Sequence, residues 1–198
     1  MGGRAGGGAS AGMGSRSGGG GLQRSLASIE SSIRGMPFEN SAIIDKNGNI
    51  IERNLGERKR VGYDAILAIG KTVTHNHPSG ASFSQKDIIG AVQSNLSEIR
   101  VVTKGYTYSM KPGKNGWGVD NSGQKGVLLN GLRFNGARLK PTSQMQKVQK
   151  AYSAASAKVE KAIKGSSNPS RYQSIKVHLI NKEFAKTMGY TYTKTKVK

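Results

Sequence analysis

From residue 22 onward, apolar positions fall every three or four residues. Leu22, Leu26, Ile29 and Ile33 line one side of a short amphipathic helix over residues 22–34. The pattern then changes. Ser41-Ala42-Ile43-Ile44-Asp45 reads as a strand, and Ile50-Ile51-Glu52 begins a returning one. Lys46-Asn47-Gly48-Asn49 between them predicts a hairpin turn, because Asn-Gly accepts positive φ. Leu67 to Thr74 predicts a third strand. A helical period returns from Ser84 to Glu98, with Ile88, Val92, Leu96 and Ile99 on one side. Ser84 is placed as its N-cap, with Asp87 three positions on, a capping-box-like start. Ile99–Thr103 and Tyr106–Met110 predict two further strands around Lys104-Gly105.

The expected folded core therefore spans 37–118, in the order strand, strand, strand, helix, strand, strand. This is an α/β chain of the α+β class, with a sheet flanked by helices. Residues 1–36 are expected to be a Gly-rich flexible tail carrying the short helix. The first 21 residues include 11 glycines and cannot bury enough apolar surface to offset chain entropy. That run has no strand before it and no GK[ST] ending, so it is not a P-loop. Residues 119–141 are rich in Gly and Asn, with one strand expected around Val127–Leu129 or Leu132–Phe134. Met145, Val148, Tyr152, Ala155, Val159 and Ile163 form a stripe that predicts a helix over 143–164, stopped by Gly165 to Pro169. A shorter helix over about 172–188 precedes a Lys- and Thr-rich end. Residues 119–198 thus read as a basic, partly helical extension.

Charge sharpens this division. The chain carries 31 Lys+Arg against 11 Asp+Glu, a formal net charge of +20, which predicts attraction to polyanions. Sixteen Lys+Arg and only two Glu fall between 125 and 198, so most of the excess sits there. Nucleic acid held by this basic C-terminal region is one expected partner. Cys is absent, which excludes disulfides and thiolate metal sites, so any metal must be held by His and carboxylates. No run of about 18 apolar residues offers a membrane span. The N-terminus lacks the apolar stretch of about 7–15 residues that marks a secretory signal. The expectation is a cytoplasmic or virion-interior protein with no membrane partner.

His75 and His77 lie one residue apart at the end of a predicted strand, where alternate residues face the same way. Pro78-Ser79-Gly80 bends the path, and the following helix presents Asp87 ten positions after His77. Two His and one carboxylate, with water in the fourth position, make an open catalytic zinc site. Such an ion lowers the pKa of its water towards about 7. A general base must then take the water proton and return it to the leaving group. Glu39, just before the first core strand, is the candidate; Glu52 and Glu57 sit on a hairpin arm and in a charged loop. Ser84 is placed to donate a hydrogen bond to a developing oxyanion.

These residues in this order resemble the JAMM (JAB/MPN) metalloprotease-like domain. That family shows a Glu, then His-Ser/Thr-His, a spacer of seven, then Ser-x-x-Asp. Here the series is Glu39, His75-Asn76-His77, a spacer of six, then Ser84-Gln85-Lys86-Asp87. The RadC-like branch is most similar, with its His-Asn-His-Pro-Ser-Gly and a segment like Phe38 to Gly48. The Gly-rich start, small size and basic tail also look like JAB modules of phage head-morphogenesis and toxin-type proteins. The resemblance spans about residues 37–110. It implies a curved sheet flanked by helices, Zn2+ on His75, His77 and Asp87, Glu39 as acid/base and Ser84 as oxyanion helper. The implied activity is hydrolysis of an amide or isopeptide bond in a protein or peptide.

A competing expectation is a non-catalytic, DNA-binding or phage-particle-associated protein that uses this fold as a scaffold. His-Asn-His as a tripeptide is no sign of an HNH nuclease, whose named residues are far apart in sequence. His178 is expected to pack or lie at the surface rather than ligate, and Trp117, Tyr106 and Tyr108 to pack rather than stack on bases.

Overall fold

The computed structural model describes residues 19–58, 61–118, 143–163 and 169–197. The expectations for the Gly-rich start before residue 19, for a strand within 119–141 and for a helix stop at 165–168 lie outside these residues. The elements are α1 (Gly19–Ile33), β1 (Asn40–Ile44), β2 (Ile50–Leu55), β3 (Thr72–Asn76), α2 (Gln85–Gln93), β4 (Glu98–Val102) and β5 (Tyr106–Lys111). They are followed by α3 (Ser143–Ile163), α4 (Pro169–Met188) and β6 (Thr191–Lys196). The fold is α+β: the described residues form one mixed sheet of six strands, in the order β2-β1-β3-β4-β5-β6, with four helices.

Strand alternation divides the sheet's surroundings into two layers. Ala42 and Ile44 of β1 and Val102 of β4 pack against Leu26, Ile29 and Ile33 of α1. Ile43, Val73, Ile99 and Val101 point the other way, into a larger core shared with Ile88 and Val92 of α2 and with α3 and α4. Among the described strands only β3 and β4 run parallel, joined by α2 as the crossover; the other neighbours are antiparallel. The predicted hairpin forms between β1 and β2, with Gly48 at φ +95°. Its turn is fastened by Asp45, whose Oδ1 accepts from the N–H groups of Asn47 and Asn49.

Three departures from the sequence pattern have local causes. Leu67 to Lys71 is turn, not strand, so β3 begins at Thr72. Asp64 draws the chain round by accepting from the N–H groups of Ile66 and Leu67, and Gly70 adopts φ +69°. The second helix ends at Gln93, because Asn95 takes φ 46° and Leu96 N–H returns to the Ala91 carbonyl. Leu96 and Ile99 are buried in the same core, but from the turn and from β4. That shared burial prolonged the apparent helical period.

The third departure concerns the C-terminal end. Its Lys- and Thr-rich stretch is a strand, β6, paired antiparallel along the whole of β5. Met145, Val148, Phe184 and Tyr190 belong to the same core as Val73 and Ile99. The basic segment is therefore built into the sheet's larger layer. Among the described residues no helix is long and apolar enough to cross a membrane.

Candidate metal centre

On β3, Val73 faces α2, and the two-residue period sends His75 to the same side. His77 follows just beyond the strand, anchored by its N–H to the Val102 carbonyl at 2.9 Å. Gly80, at φ +77°, closes the turn by donating to the His77 carbonyl. The chain then enters α2 through a complete capping box. The Asp87 N–H donates to Ser84 Oγ at 3.2 Å, and the Ser84 N–H donates to Asp87 Oδ2 at 2.6 Å. The cap fixes the Asp87 side chain at the sheet end, facing both imidazoles.

The Nε2 atoms of His75 and His77 lie 3.1 Å apart. His75 Nε2 is 3.6 Å from Asp87 Oδ1, and His77 Nε2 is 3.5 Å from Asp87 Oδ2. Ligand atoms about 2.0–2.1 Å from a tetrahedral ion are roughly 3.3 Å from one another. The three side chains thus outline one face of such a coordination shell, and this group could hold a metal ion. His77 Nδ1 lies 3.1 Å from the Ala81 carbonyl. With the proton on that nitrogen, the Nε2 lone pair is left for a metal.

The electrostatics agree with a cation site. Burial, and then the neighbouring His75, lower the pKa of His77 to about 4, against the opposing pull of Asp87. It is neutral near pH 7, as a ligand must be. Burial pushes the Asp87 carboxyl up, but the charges of His75 and His77 and hydrogen bonds from His75 and Ser84 outweigh it. Asp87 is held well below the ordinary carboxylate range.

Glu39 reaches the same place from another strand. Ser41 of β1 stands opposite His75, and Glu39 lies two residues before Ser41, immediately outside the strand. Glu39 lines a cleft of ≈ 710 Å³ together with His77, Ser84 and Asp87. Burial raises its pKa; the His75 charge and a hydrogen bond from the Val61 backbone oppose this, and the Asp87 charge adds to it. Arg58 and Lys86 line the same cleft. All five residues expected from the sequence therefore lie together: His75, His77 and Asp87 as a group that could hold a metal ion, with Glu39 and Ser84 on the adjoining walls.

Asn76 is a residue the sequence reading passed over. It points to the opposite side from its two neighbours, fully buried. Its Oδ1 accepts from Asn40 N–H at 2.7 Å, and its Nδ2 donates to the carbonyls of Met36 and Phe38. The signal for it was strand alternation: a polar residue between two inward histidines must find its partners on the other face.

The remaining aromatic expectations resolve simply. Trp117 is buried, with its indole N–H on the Leu96 carbonyl, and Tyr108 is buried as well. His178 stands outside the ligand group and pairs with the Tyr192 hydroxyl at 2.8 Å.

No protein-family model, no curated protein and no solved structure matches this chain.

Proposed function

We propose that this chain is a metal-dependent hydrolase of amide or isopeptide bonds, of the JAMM type that its motif resembles. One observation carries the reading: Glu39 shares a cleft with His77 and Asp87, which belong to a His75-His77-Asp87 group whose donor atoms could hold a single ion. Two imidazoles and a carboxylate suit Zn2+ among the common divalent ions. A bound ion supplies Lewis acidity and brings the pKa of a water it holds towards about 7. Glu39 takes the proton of the attacking water and delivers it to the departing amine. The Ser84 hydroxyl keeps its hydrogen while its oxygen caps α2, and donates to the carbonyl oxygen under attack. Arg58 and Lys86 favour a substrate that carries negative charge close to the bond cut. The net charge of +20 and the resemblance of the motif to phage-associated modules support a cytoplasm or a virion interior as its place of action.

The test is metal content followed by turnover. Purified protein should hold about one zinc per chain after reconstitution, and His75→Ala/His77→Ala should hold none. Glu39→Gln should keep the zinc and lose hydrolysis of a cleaved peptide by about 10²–10⁴-fold. A wild-type chain that takes up no metal sinks the reading. A Glu39→Gln variant with full activity removes Glu39 as the base.

A second reading has its own support. Residues 143–163 and 169–197 carry ten Lys and Arg against two Glu. Both glutamates are already paired, Glu183 with Lys158 and Glu160 with Lys176. Lys147, Lys150, Lys161, Lys182 and Lys186 are exposed on α3 and α4. Nucleic acid bound there by counterion release would show steep salt dependence. Reversing Lys147, Lys150 and Lys161 to Glu should weaken DNA association and flatten its salt slope; unchanged binding rules this face out.

A further inference from the structure

The segment Ala81 to Ser84 touches the ligand group at both ends. At its start, the Ala81 carbonyl orients the His77 imidazole. At its end, the Ser84 N–H holds the Asp87 carboxylate. The two residues between, Ser82 and Phe83, are 1% and 0% exposed. Their polar partners come from the C-terminal elements. Asn181 of α4, itself 0% exposed, donates from Nδ2 to the Phe83 carbonyl at 2.9 Å and to Ser82 Oγ at 3.2 Å. The Tyr192 hydroxyl of β6 meets Ser82 Oγ at 2.8 Å and His178 Nδ1 at 2.8 Å.

The direction of this chain follows from donor chemistry. An amide nitrogen only donates, so Ser82 Oγ accepts from Asn181. The Ser82 hydroxyl can then donate to Tyr192, and Tyr192 to a neutral His178 nitrogen. That arrangement uses each hydroxyl once as donor and once as acceptor. Asn181 Oδ1, by contrast, has no partner among the described residues. A buried acceptor left unpaired costs about 1–3 kcal/mol. An apolar residue would avoid that penalty, so the amide is placed for what its N–H groups hold.

We infer that Asn181 and Tyr192 are positioning residues of the metal centre. They clamp the middle of a four-residue segment whose two ends aim His77 and Asp87. The basic C-terminal half is thereby a wall of the site as well as a charged surface. The buried middle of this segment cannot shift without breaking these contacts, which holds the ligand atoms at their short separations. The inference rests on the metal-site reading above and adds residues from the opposite end of the chain.

The experiment uses full-length protein stripped of metal and titrated with Co2+, read by its visible d–d absorption. Asn181→Ala and Tyr192→Phe are compared with wild type, and Glu30→Gln, on the other face of the sheet, serves as a stability control. Each of the first two should weaken Co2+ affinity by about tenfold, the lower end for partners that orient a ligand, and shift the d–d bands. Glu30→Gln should lower stability and leave the bands unmoved. If Asn181→Ala does not fold, Tyr192→Phe decides alone, since it deletes one oxygen and keeps the ring. Bands and affinity identical to wild type in a folded variant overturn the positioning role. Absence of any Co2+ binding by the wild type overturns the metal-site reading instead.

Discussion

The side chain of Asn76 accepts a hydrogen bond from the backbone N–H of Asn40 at 2.7 Å, tying β3 to the residue beside Glu39. Its amide nitrogen reaches the carbonyls of Met36 and Phe38 on the other side of that same glutamate. Asn76 lies between the two histidines in sequence, and its side chain points to the opposite face. One strand residue thus fastens the backbone that carries Glu39, while its neighbours belong to the group that could hold a metal ion.

On the proposed reading, Asn76→Ala should therefore separate base positioning from metal binding. The buried Asn40 N–H loses its partner, which costs about 1–3 kcal/mol, while the Phe38 carbonyl keeps the Asn40 side-chain amide. Urea unfolding should show a loss of at least that size. Metal affinity should stay within a few-fold of wild type, because His75, His77 and Asp87 keep their contacts, while turnover falls as Glu39 is released. A variant that loses metal first would contradict this division of labour.

Metal removal should be visible in stability. Three donor atoms, two of them on buried histidines, are gathered within 4.8 Å by the folded chain and dispersed in the unfolded one. An ion that binds only the folded state adds about 2.7 kcal/mol when its free concentration is a hundredfold above Kd. A chelator should lower the unfolding midpoint of the loaded wild type and leave His75→Ala/His77→Ala unmoved. An equal drop in both would place the metal elsewhere.

On the opposite face of the sheet, α1 is held by charge as well as by Leu26 and Ile29. Glu30 accepts from Arg100 Nε at 2.5 Å and Nη2 at 3.1 Å, and from Thr74 Oγ1 at 3.1 Å. Glu98 takes the remaining Arg100 Nη1 at 2.7 Å. Glu30→Ala leaves a mostly buried guanidinium short of a partner, a change that costs about 3–5 kcal/mol. Proteolysis between Ile33 and Phe38 should accelerate in that variant. A cleavage rate equal to wild type would mean that the apolar contacts of α1 suffice.

The pH dependence has a definite sign. Burial, then the charges of Lys194 and Lys182, lower His178 from 6.5 to about 4. Between those values the unfolded chain binds a proton that the folded chain refuses. Stability is therefore intact above about 6.5 and declines as pH falls towards 4. His77, also near 4, acts in the same direction in metal-free protein. His178→Gln should unfold with a shallower dependence across that window. A slope unchanged from wild type would assign the effect to His77 and the carboxylates.

Much of the centre was legible because its parts are close in sequence. His75, His77, Ser84 and Asp87 sit within 13 residues, where strand alternation, a proline turn and a capping box leave few arrangements. Glu39 required only the expectation that its strand neighbours the one bearing the histidines, and the β1–β3 pairing meets it. The C-terminal elements were harder. α3 announced itself by an apolar stripe, whereas β6 has one half-buried tyrosine among exposed Thr and Lys, as an edge strand can. Charge marked that region as a solvated extension, and only pairing to β5 reveals it as part of the sheet.

By itself, then, the amino-acid sequence determined the local geometry: the helices with strong apolar stripes, the Asn-Gly hairpin, and the spacing that sends two imidazoles to one side. Those follow from backbone sterics and side-chain periodicity over a few residues. Tertiary structure alone decided that Asn76, turned away by that same alternation, finds the segment around Glu39 there, and that Asn181 and Tyr192 meet Ser82 across 99 and 110 residues. Such contacts depend on which buried donor lacks a partner once the sheet is assembled, and no short-range pattern encodes that.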